Sequence, residues 1–178
     1  PGRILAAGYL NKSDSKYLDS VRSKLRKAGA LDRFEYLGEV TREQKIEMLR
    51  SLHVLSVPCM YHEAKGLYVL EAMATGVPVV QPARGSFPEL IAATGGGLLY
   101  DSGPGEPAAL AAALARLMDD PALRGQLGQS GRTAVFNSFT DSVMAEQTWA
   151  LYERAPWEPR RIRRRESWRD LHQKHGRA

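Results

Sequence analysis

Residues 54–80 read VLSVPCMYHEAKGLYVLEAMATGVPVV, and this stretch determines the fold class. A short apolar run at 54–57 is followed by a polar loop, a helical pattern at 67–75 and a second apolar run at 77–80. Neither apolar run alternates with polar residues, which is typical of strands buried on both faces of a parallel sheet. The stretch therefore predicts one strand–helix–strand unit of an α/β domain.

The same alternation of strands and helices continues on both sides of this unit. The predicted strands lie at 3–8, 34–37 and 97–100. Thr41 and Gln44 form a capping-box pattern that predicts the start of a helix over 42–52. Further helical patterns cover 14–28, 88–93, 107–118, 121–135 and 140–152. Together they predict a Rossmann-like parallel sheet with helices on both faces.

The composition of the chain excludes several classes of protein. Of its 178 residues 43% are hydrophobic and 25% are charged, which is ordinary for a globular domain and not for a disordered chain. Its single cysteine, Cys59, cannot form an internal disulfide and favours a reducing compartment, so we expect a cytoplasmic protein. The net charge of +5 equals the eight basic minus three acidic residues of 157–178. The rest of the chain is neutral, which argues against a nucleic-acid-binding domain.

This uneven charge divides the chain into a domain over 1–156 and a basic C-terminal tail over 157–178. Within the tail, the cluster Arg160–Arg165 has the charge to attract an anionic membrane surface, so a peripheral membrane association is one interpretation. The alternative, which we favour from the sequence, is a solubilising or disordered tail. Contact with nucleic acid is a third and weaker option.

Ligands of open parallel sheets bind beyond the carboxyl ends of the strands, and the loop 58–67 lies at such an end. The first N–H groups of the following helix, at Gly66, Leu67 and Tyr68, have no acceptors within the helix and suit a diphosphate. Glu71, about one turn into the helix, can accept hydrogen bonds from the two hydroxyls of a ribose, and Glu63 can meet a second polyol. Two glutamates alone are a weak signal, because a glutamate near a helix start is also a common dipole partner.

The wider pattern resembles the nucleotide-sugar site of family 4 retaining glycosyltransferases of the GT-B fold. That family combines a buried strand and proline, a glutamate, a second glutamate eight residues later in Glu-Ala-Met-Ala, and Gly-x-Pro-Val-Val. The matching residues here are Val54–Pro58, Glu63, Glu71–Ala74 and Gly76–Val80. The likeness covers about 3–155 and implies the C-terminal, nucleotide-sugar-binding half of a GT-B enzyme.

The resemblance implies a role for each matching residue. Glu63 would contact the hydroxyls of the transferred sugar and is the candidate catalytic residue, while Glu71 would bind the ribose. The N–H groups of 66–68 would meet sugar and phosphate oxygens, and the backbone near Val40 would hydrogen-bond the base. Lys65 stands where the family often has phenylalanine, so it either neutralises phosphate or is simply solvated.

The resemblance also implies a reaction. The sugar of a nucleoside-diphosphate sugar would pass to an acceptor hydroxyl with retention at the anomeric carbon, without cofactor and without a required metal ion. The protein would stabilise the leaving diphosphate and position the reactants. The base, the sugar and the acceptor cannot be identified from these residues.

The chain departs from the family at its N-terminus. Its first residues resemble the second strand of the nucleotide-binding half, so we expect a truncated domain that lacks its first strand and helix and the acceptor domain. Such a chain should be inactive alone. Two alternatives stay open, namely another enzyme on this fold, such as a nucleotide-sugar epimerase or a phosphorylase relative, and a non-catalytic nucleotide-binding or scaffold module.

Overall fold

The structure is a computed structural model that describes residues 2–154, and it has the α/β architecture expected from the sequence. The strands are β1 (Ile4–Ala6), β2 (Phe34–Tyr36), β3 (Val79–Pro82) and β4 (Gly97–Tyr100). The helices are α1 (Ser15–Lys27), α2 (Arg42–Ser51), α3 (Leu67–Ala74), α4 (Phe87–Thr94), α5 (Glu106–Asp119), α6 (Pro121–Ser138) and α7 (Asp141–Arg154). Short 3₁₀ turns at Lys12–Asp14 and Leu31–Arg33 precede α1 and β2.

All strand pairing in the described residues is parallel. β1 pairs with β2, so that Leu5 lies opposite Glu35, and β3 pairs with β4, so that Val79 lies opposite Gly97. Parallel neighbours need a crossover connection, and α1 and α4 supply it for the two pairs. The predicted class, a parallel α/β fold, is confirmed.

The strand predicted at 54–57 is present only as an isolated bridge. Leu55 pairs in parallel with Val79, but the pairing does not extend to Val57. The N–H of Val57 donates instead to the side-chain oxygen of Gln81, at 3.3 Å. A side chain thus takes the place of a backbone acceptor, and the ladder stops after one bridge.

The strand predicted at 77–80 begins two residues later, at Val79. The N–H of Val77 donates to the carbonyl of Ala72 at 3.0 Å, so Val77 completes the turn that ends α3. Pro78, which follows, has no N–H to offer a neighbouring strand. The strand predicted at 3–8 is likewise shorter, at Ile4–Ala6, whereas the capping box at the start of α2 is confirmed.

Helices cover both faces of β3, as the apolar run at 77–80 predicts. Val79 belongs to a buried cluster with Val69 and Met73 of α3. Val80, which points to the opposite face, packs with Tyr100 and with Leu117 of α5. The helix that carries the candidate site is therefore fixed against the centre of the core.

Close contact between α3 and α6 fixes the position of α3 further. A Cβ at Gly131 would lie 2.9 Å from the Cγ of Met73, and a Cβ at Gly128 would overlap the carbonyl oxygen of Gly76. Only glycine allows α6 to approach this closely. The C-terminal end of α3 is consequently held by backbone packing.

The chain divides into two compact units, one ending at Thr140 and one beginning at Asp141. The described part of the second unit is α7. The predicted boundary at 156 and the tail 157–178 lie outside the described residues and stay predictions. Among residues 2–154, no helix has both the length and the apolar content that crossing a membrane requires.

Candidate functional site

The loop before α3 is organised around the carboxylate of Glu63. Its Oε1 accepts the N–H of Lys65 at 3.0 Å and the N–H of Gly66 at 3.2 Å. Gly66 adopts a φ of +62°, and a Cβ there would lie 3.1 Å from Leu90 Cδ1 and 3.3 Å from Phe87 Cε1. Glycine at this position thus gives both the left-handed turn and the close packing of the loop on α4.

The second carboxylate oxygen of Glu63 faces two phenols. The hydroxyls of Tyr61 and Tyr68 each lie 3.4 Å from Oε2. The N–H groups of Lys65 and Gly66 are the main cause of a lowered Glu63 pKa, because they stabilise the charged form. Glu63 is therefore an ionised acceptor near neutral pH, suited to bind hydroxyl groups and unsuited to donate a proton.

Tyr68 is held as a protonated donor. Its side chain is half-buried, and its ring centroid lies 6.3 Å from that of Phe87 in a tilted arrangement. Burial is the main cause of a raised Tyr68 pKa, and nearby Cys59 and Glu63 raise the pKa further. The phenol consequently keeps its proton and can donate to a carboxylate or to a ligand oxygen.

A second loop, 83–86, follows β3 and packs against the Glu63 loop. The N–H of Ser86 donates to the carbonyl of Glu63 at 2.8 Å, and Arg84 Nη1 donates to the carbonyl of Met60 at 3.0 Å. Gly85 lies so close that a Cβ would come within 2.6 Å of the backbone N and O of Glu63. The position of Glu63 therefore depends on the loop 83–86.

Arg84 is itself held by an ion pair with Glu106 at the start of α5, at 2.7 Å. The two side chains are only 15% and 24% exposed, so the pair is weakly screened by solvent. Tyr100 lies near this pair. Burial is the main cause of its raised pKa, and the charge of Glu106 raises the pKa further. These contacts join the carboxyl ends of β3 and β4 to the Glu63 loop.

Glu71 lies on α3, beyond the loop, and forms an ion pair. Its Oε1 is 2.6 Å from Nζ of Lys45, a residue of α2. The carboxylate is half-exposed and stays open to a ligand on its solvent side. Among the described contacts, the other oxygen, Oε2, has no hydrogen-bond partner.

Val40 lies immediately before the capping box that starts α2. The hydroxyl of Thr41 accepts the N–H of Gln44 at 3.3 Å, and the side chain of Gln44 accepts the N–H of Thr41 at 2.9 Å. The N–H of Lys45 donates to the carbonyl of Thr41 at 2.9 Å. The same turn of backbone therefore positions both Val40 and Lys45.

The N-terminus of α3 offers donors that are not otherwise used. In the described part of the chain, the N–H groups of Leu67 and Tyr68 meet no acceptor, whereas that of Gly66 is engaged by Glu63. The side chains of Lys65 and Leu67 are exposed at the same point. Two free N–H groups at a helix start can receive an anion.

The structure thus brings Glu63, Gly66 and Tyr68 into direct contact, with Lys65 and Leu67 beside them. Glu71 lies further along α3, and Val40 is linked to it through α2 and Lys45.

Sequence inspection missed Lys45, Tyr61 and Arg84 as members of the site. Lys45 stands four residues before Leu49, a core residue of α2, and this spacing was the available signal. Within residues 2–154, no three His, Cys, Asp or Glu side chains are grouped as metal ligands would be.

Comparison with known proteins gives a consistent assignment. A family model described as glycosyl transferases group 1 matches residues 3–134. D-inositol 3-phosphate glycosyltransferase from Corynebacterium efficiens is 33% identical over 137 residues, which cover 77% of this chain and 31% of the relative. The chain spans about a third of the length of the curated relatives it matches.

Solved structures share the fold. Sucrose-phosphate synthase from Thermosynechococcus elongatus matches with a TM-score of 0.74 and 30% identity, over 85% of this chain and 38% of that protein. Anabaena HepE in complex with UDP matches with a TM-score of 0.76 and 18% identity, over 85% of this chain and 41% of that protein. These neighbours are GT-B glycosyltransferases, so the predicted fold, half of a GT-B architecture, is confirmed. The chain belongs to the glycosyl transferases group 1 family.

Proposed function

We propose that this chain binds a nucleoside-diphosphate sugar and that the complete protein transfers the sugar to an acceptor hydroxyl with retention of configuration. The observation that carries the proposal is the start of α3, where the free N–H groups of Leu67 and Tyr68 come after Glu63 and before Glu71 along the chain. A nucleoside-diphosphate sugar has a matching order, since its diphosphate joins two polyols, the ribose and the transferred sugar. HepE, which shares the fold, is described in complex with UDP.

In this proposal the diphosphate lies at the N-terminus of α3. The N–H groups of Leu67 and Tyr68 donate to its oxygens, and the helix dipole favours its negative charge. Lys65, exposed at the same point, adds a positive charge. These groups stabilise the diphosphate as it leaves the sugar, which is electrostatic catalysis by preorganised donors.

Glu63 is proposed to bind hydroxyls of the transferred sugar. Its contacts with Tyr61 and Tyr68 are long, at 3.4 Å, so sugar hydroxyls can replace them at small cost. Its contacts with the N–H groups of Lys65 and Gly66 hold the carboxylate in place meanwhile. Glu63 then acts as a fixed negative charge near the anomeric carbon, where positive charge develops.

Glu71 is proposed to accept hydrogen bonds from the ribose hydroxyls, and the backbone at Val40 is proposed to contact the base. The proposal requires no metal ion, because N–H donors and Lys65 meet the diphosphate charge. Truncation of the nucleotide-binding half, the need for a separate acceptor domain and a membrane contact through 160–165 stay predictions.

A nucleotide titration tests this function. UDP, GDP and ADP are added separately to the chain, and binding is followed by saturation-transfer NMR, which detects millimolar affinities. We expect one base to be preferred, and Glu71→Gln to weaken that nucleotide about tenfold, since hydrogen bonds to a charged group contribute about 1.5–3 kcal/mol. Glu47→Gln, at an exposed position of α2, is the matched control and should bind as the wild type does.

Two results would count against the proposal. Equal binding by the wild type and Glu71→Gln would remove the ribose role of this residue. Absence of binding, both in this chain and in a version extended upstream, would remove the nucleotide site itself. Adding EDTA should leave the affinity unchanged.

A further inference from the structure

The ion pair between Lys45 and Glu71 lies at the edge of the contact between α2 and α3. Leu49 of α2 is buried in the same apolar cluster as Val69 and Met73 of α3. Lys45 precedes Leu49 by one helical turn, so both side chains lie on the face of α2 that meets α3. The position of Lys45 is therefore a consequence of helix packing, and its Nζ reaches Glu71 Oε1 at 2.6 Å.

The backbone that carries Lys45 is fixed at its other end as well. Both hydrogen bonds of the Thr41–Gln44 capping box are present, and the N–H of Lys45 donates to the carbonyl of Thr41. Val40 directly precedes this capped turn. Movement of Lys45 would thus move the backbone proposed to contact the base.

The pair also sets the charge of the site. An unpaired Glu71 carboxylate, on the helix whose first turn is proposed to hold a diphosphate, would repel that ligand. Lys45 cancels this charge and occupies one oxygen of Glu71, so the remaining oxygen keeps a defined direction. A carboxylate held in this way can accept from a ribose without first being ordered.

We propose that Lys45 is a positioning residue for ribose recognition: it orients the Glu71 carboxylate and couples it to the base-contacting turn at Val40. This inference rests on the proposed function, in which Glu71 binds the ribose. Lys45 itself makes no contact with the reacting atoms. Its effect is on how strongly the site distinguishes a ribonucleotide from its 2′-deoxy form.

A purely structural ion pair would behave differently. The side chains of Lys45 and Glu71 are 37% and 43% exposed, and exposed ion pairs contribute little to stability. Loss of Lys45 should therefore leave the thermal midpoint almost unchanged. The ratio of ribonucleotide to 2′-deoxynucleotide affinity, in contrast, is a quantity that a structural role would not alter.

The test measures this ratio for the preferred nucleoside diphosphate of UDP, GDP and ADP. Wild type, Lys45→Met, Lys45→Arg and Glu71→Gln are titrated with the nucleotide and its 2′-deoxy form. Arg50→Met, which removes an exposed cation from the same helix, is the matched control. We expect a ratio of about ten in wild type and Arg50→Met, and about three or less in Lys45→Met and Glu71→Gln. Lys45→Arg should restore most of the ratio because it keeps the charge.

The outcomes separate the two proposals. A wild-type ratio retained in Lys45→Met but lost in Glu71→Gln overturns the inference about Lys45 and leaves the ribose role of Glu71 intact. A ratio near one in the wild type overturns the ribose role and the inference together. An equal fall in Arg50→Met and Lys45→Met also overturns the inference, since a general loss of positive charge would then be the cause.

Discussion

Gly85 connects the loop after β3 to the candidate sugar-binding residue, and replacing it with alanine should displace Glu63. A Cβ at this position would lie 2.6 Å from both the backbone N and the backbone O of Glu63, and 3.1 Å from the carbonyl carbon of His62. All three are backbone atoms, so no side-chain rotation can relieve the overlap. Residues 62–63 must move away from the loop 83–86, or β3 must shift.

A matched control separates this overlap from ordinary backbone strain. Gly29 has a φ of +64°, close to the +59° of Gly85, but a Cβ at Gly29 would meet nothing within 4 Å. Alanine in this left-handed region costs about 1–2 kcal/mol at either position. Forcing an extra carbon into the packed contact at Gly85 should cost about 1–3 kcal/mol more.

Urea unfolding at 25 °C, followed by circular dichroism, measures both costs. Gly85→Ala should lose about 2–5 kcal/mol of unfolding free energy, and Gly29→Ala about 1–2 kcal/mol. The amide signals of Lys65 and Gly66, whose N–H groups donate to Glu63, should shift in the first variant only. Equal free energies for the two variants, with unshifted amides, would refute the claim that the loop 83–86 positions Glu63.

Substitutions at three other contacts should also change the stability of the chain. Gly128→Ala should lose about 2–3 kcal/mol of unfolding free energy, because its Cβ overlaps the backbone of the turn that ends α3. Gly125→Ala on the same helix faces open space and should gain about 0.5–1 kcal/mol. Urea midpoints that move together in the two variants would contradict this. The N–H groups of Lys65 and Gly66 lower the pKa of Glu63, so its stabilising effect is fully present above the ordinary glutamate pKa and is lost as the pH falls through the lowered pKa. Glu63→Gln should therefore be less stable than wild type at pH 7, and the gap should close as the pH falls below the ordinary glutamate range. Thermal midpoints measured as the pH is lowered check this prediction. Arg84→Met should lower the free energy of unfolding by about 2 kcal/mol, because it leaves Glu106 unpaired in a poorly hydrated position. Adding Glu106→Leu should recover part of that loss. A double variant less stable than Arg84→Met would contradict this.

Features set by neighbouring residues could be predicted from the sequence. The capping box of Thr41 and Gln44 depends on residues three apart, and it is present as expected. The apolar run at 77–80 predicts a strand buried on both faces, and Val79 and Val80 of β3 do pack on opposite faces. The apolar run of β4 is buried less completely, because Leu99 is exposed. The turn in which Glu63 accepts the N–H groups of the second and third residues after it is equally local, but the sequence pattern does not predict it, because the pattern leaves the N–H of Gly66 free for a ligand.

Features that depend on distant residues could not be predicted in this way. The pairing expected over 54–57 stops because the side chain of Gln81, far along the chain, takes the N–H of Val57. The partner of Glu71 is Lys45, which comes 26 residues earlier, and their contact requires the packing of α2 on α3. The overlap expected at Gly85 likewise exists only because two loops meet in space.

Mapping of a bound nucleotide on the backbone amides tests directly whether the start of α3 binds the diphosphate. The preferred nucleoside diphosphate is added to ¹⁵N-labelled protein, and the shift of each amide signal is followed to saturation. We expect the largest shifts at Leu67 and Tyr68, with further shifts at Glu71 and around Val40. Saturable binding that leaves these amides unshifted and moves signals elsewhere would contradict this expectation, because the start of α3 would then not be the diphosphate site.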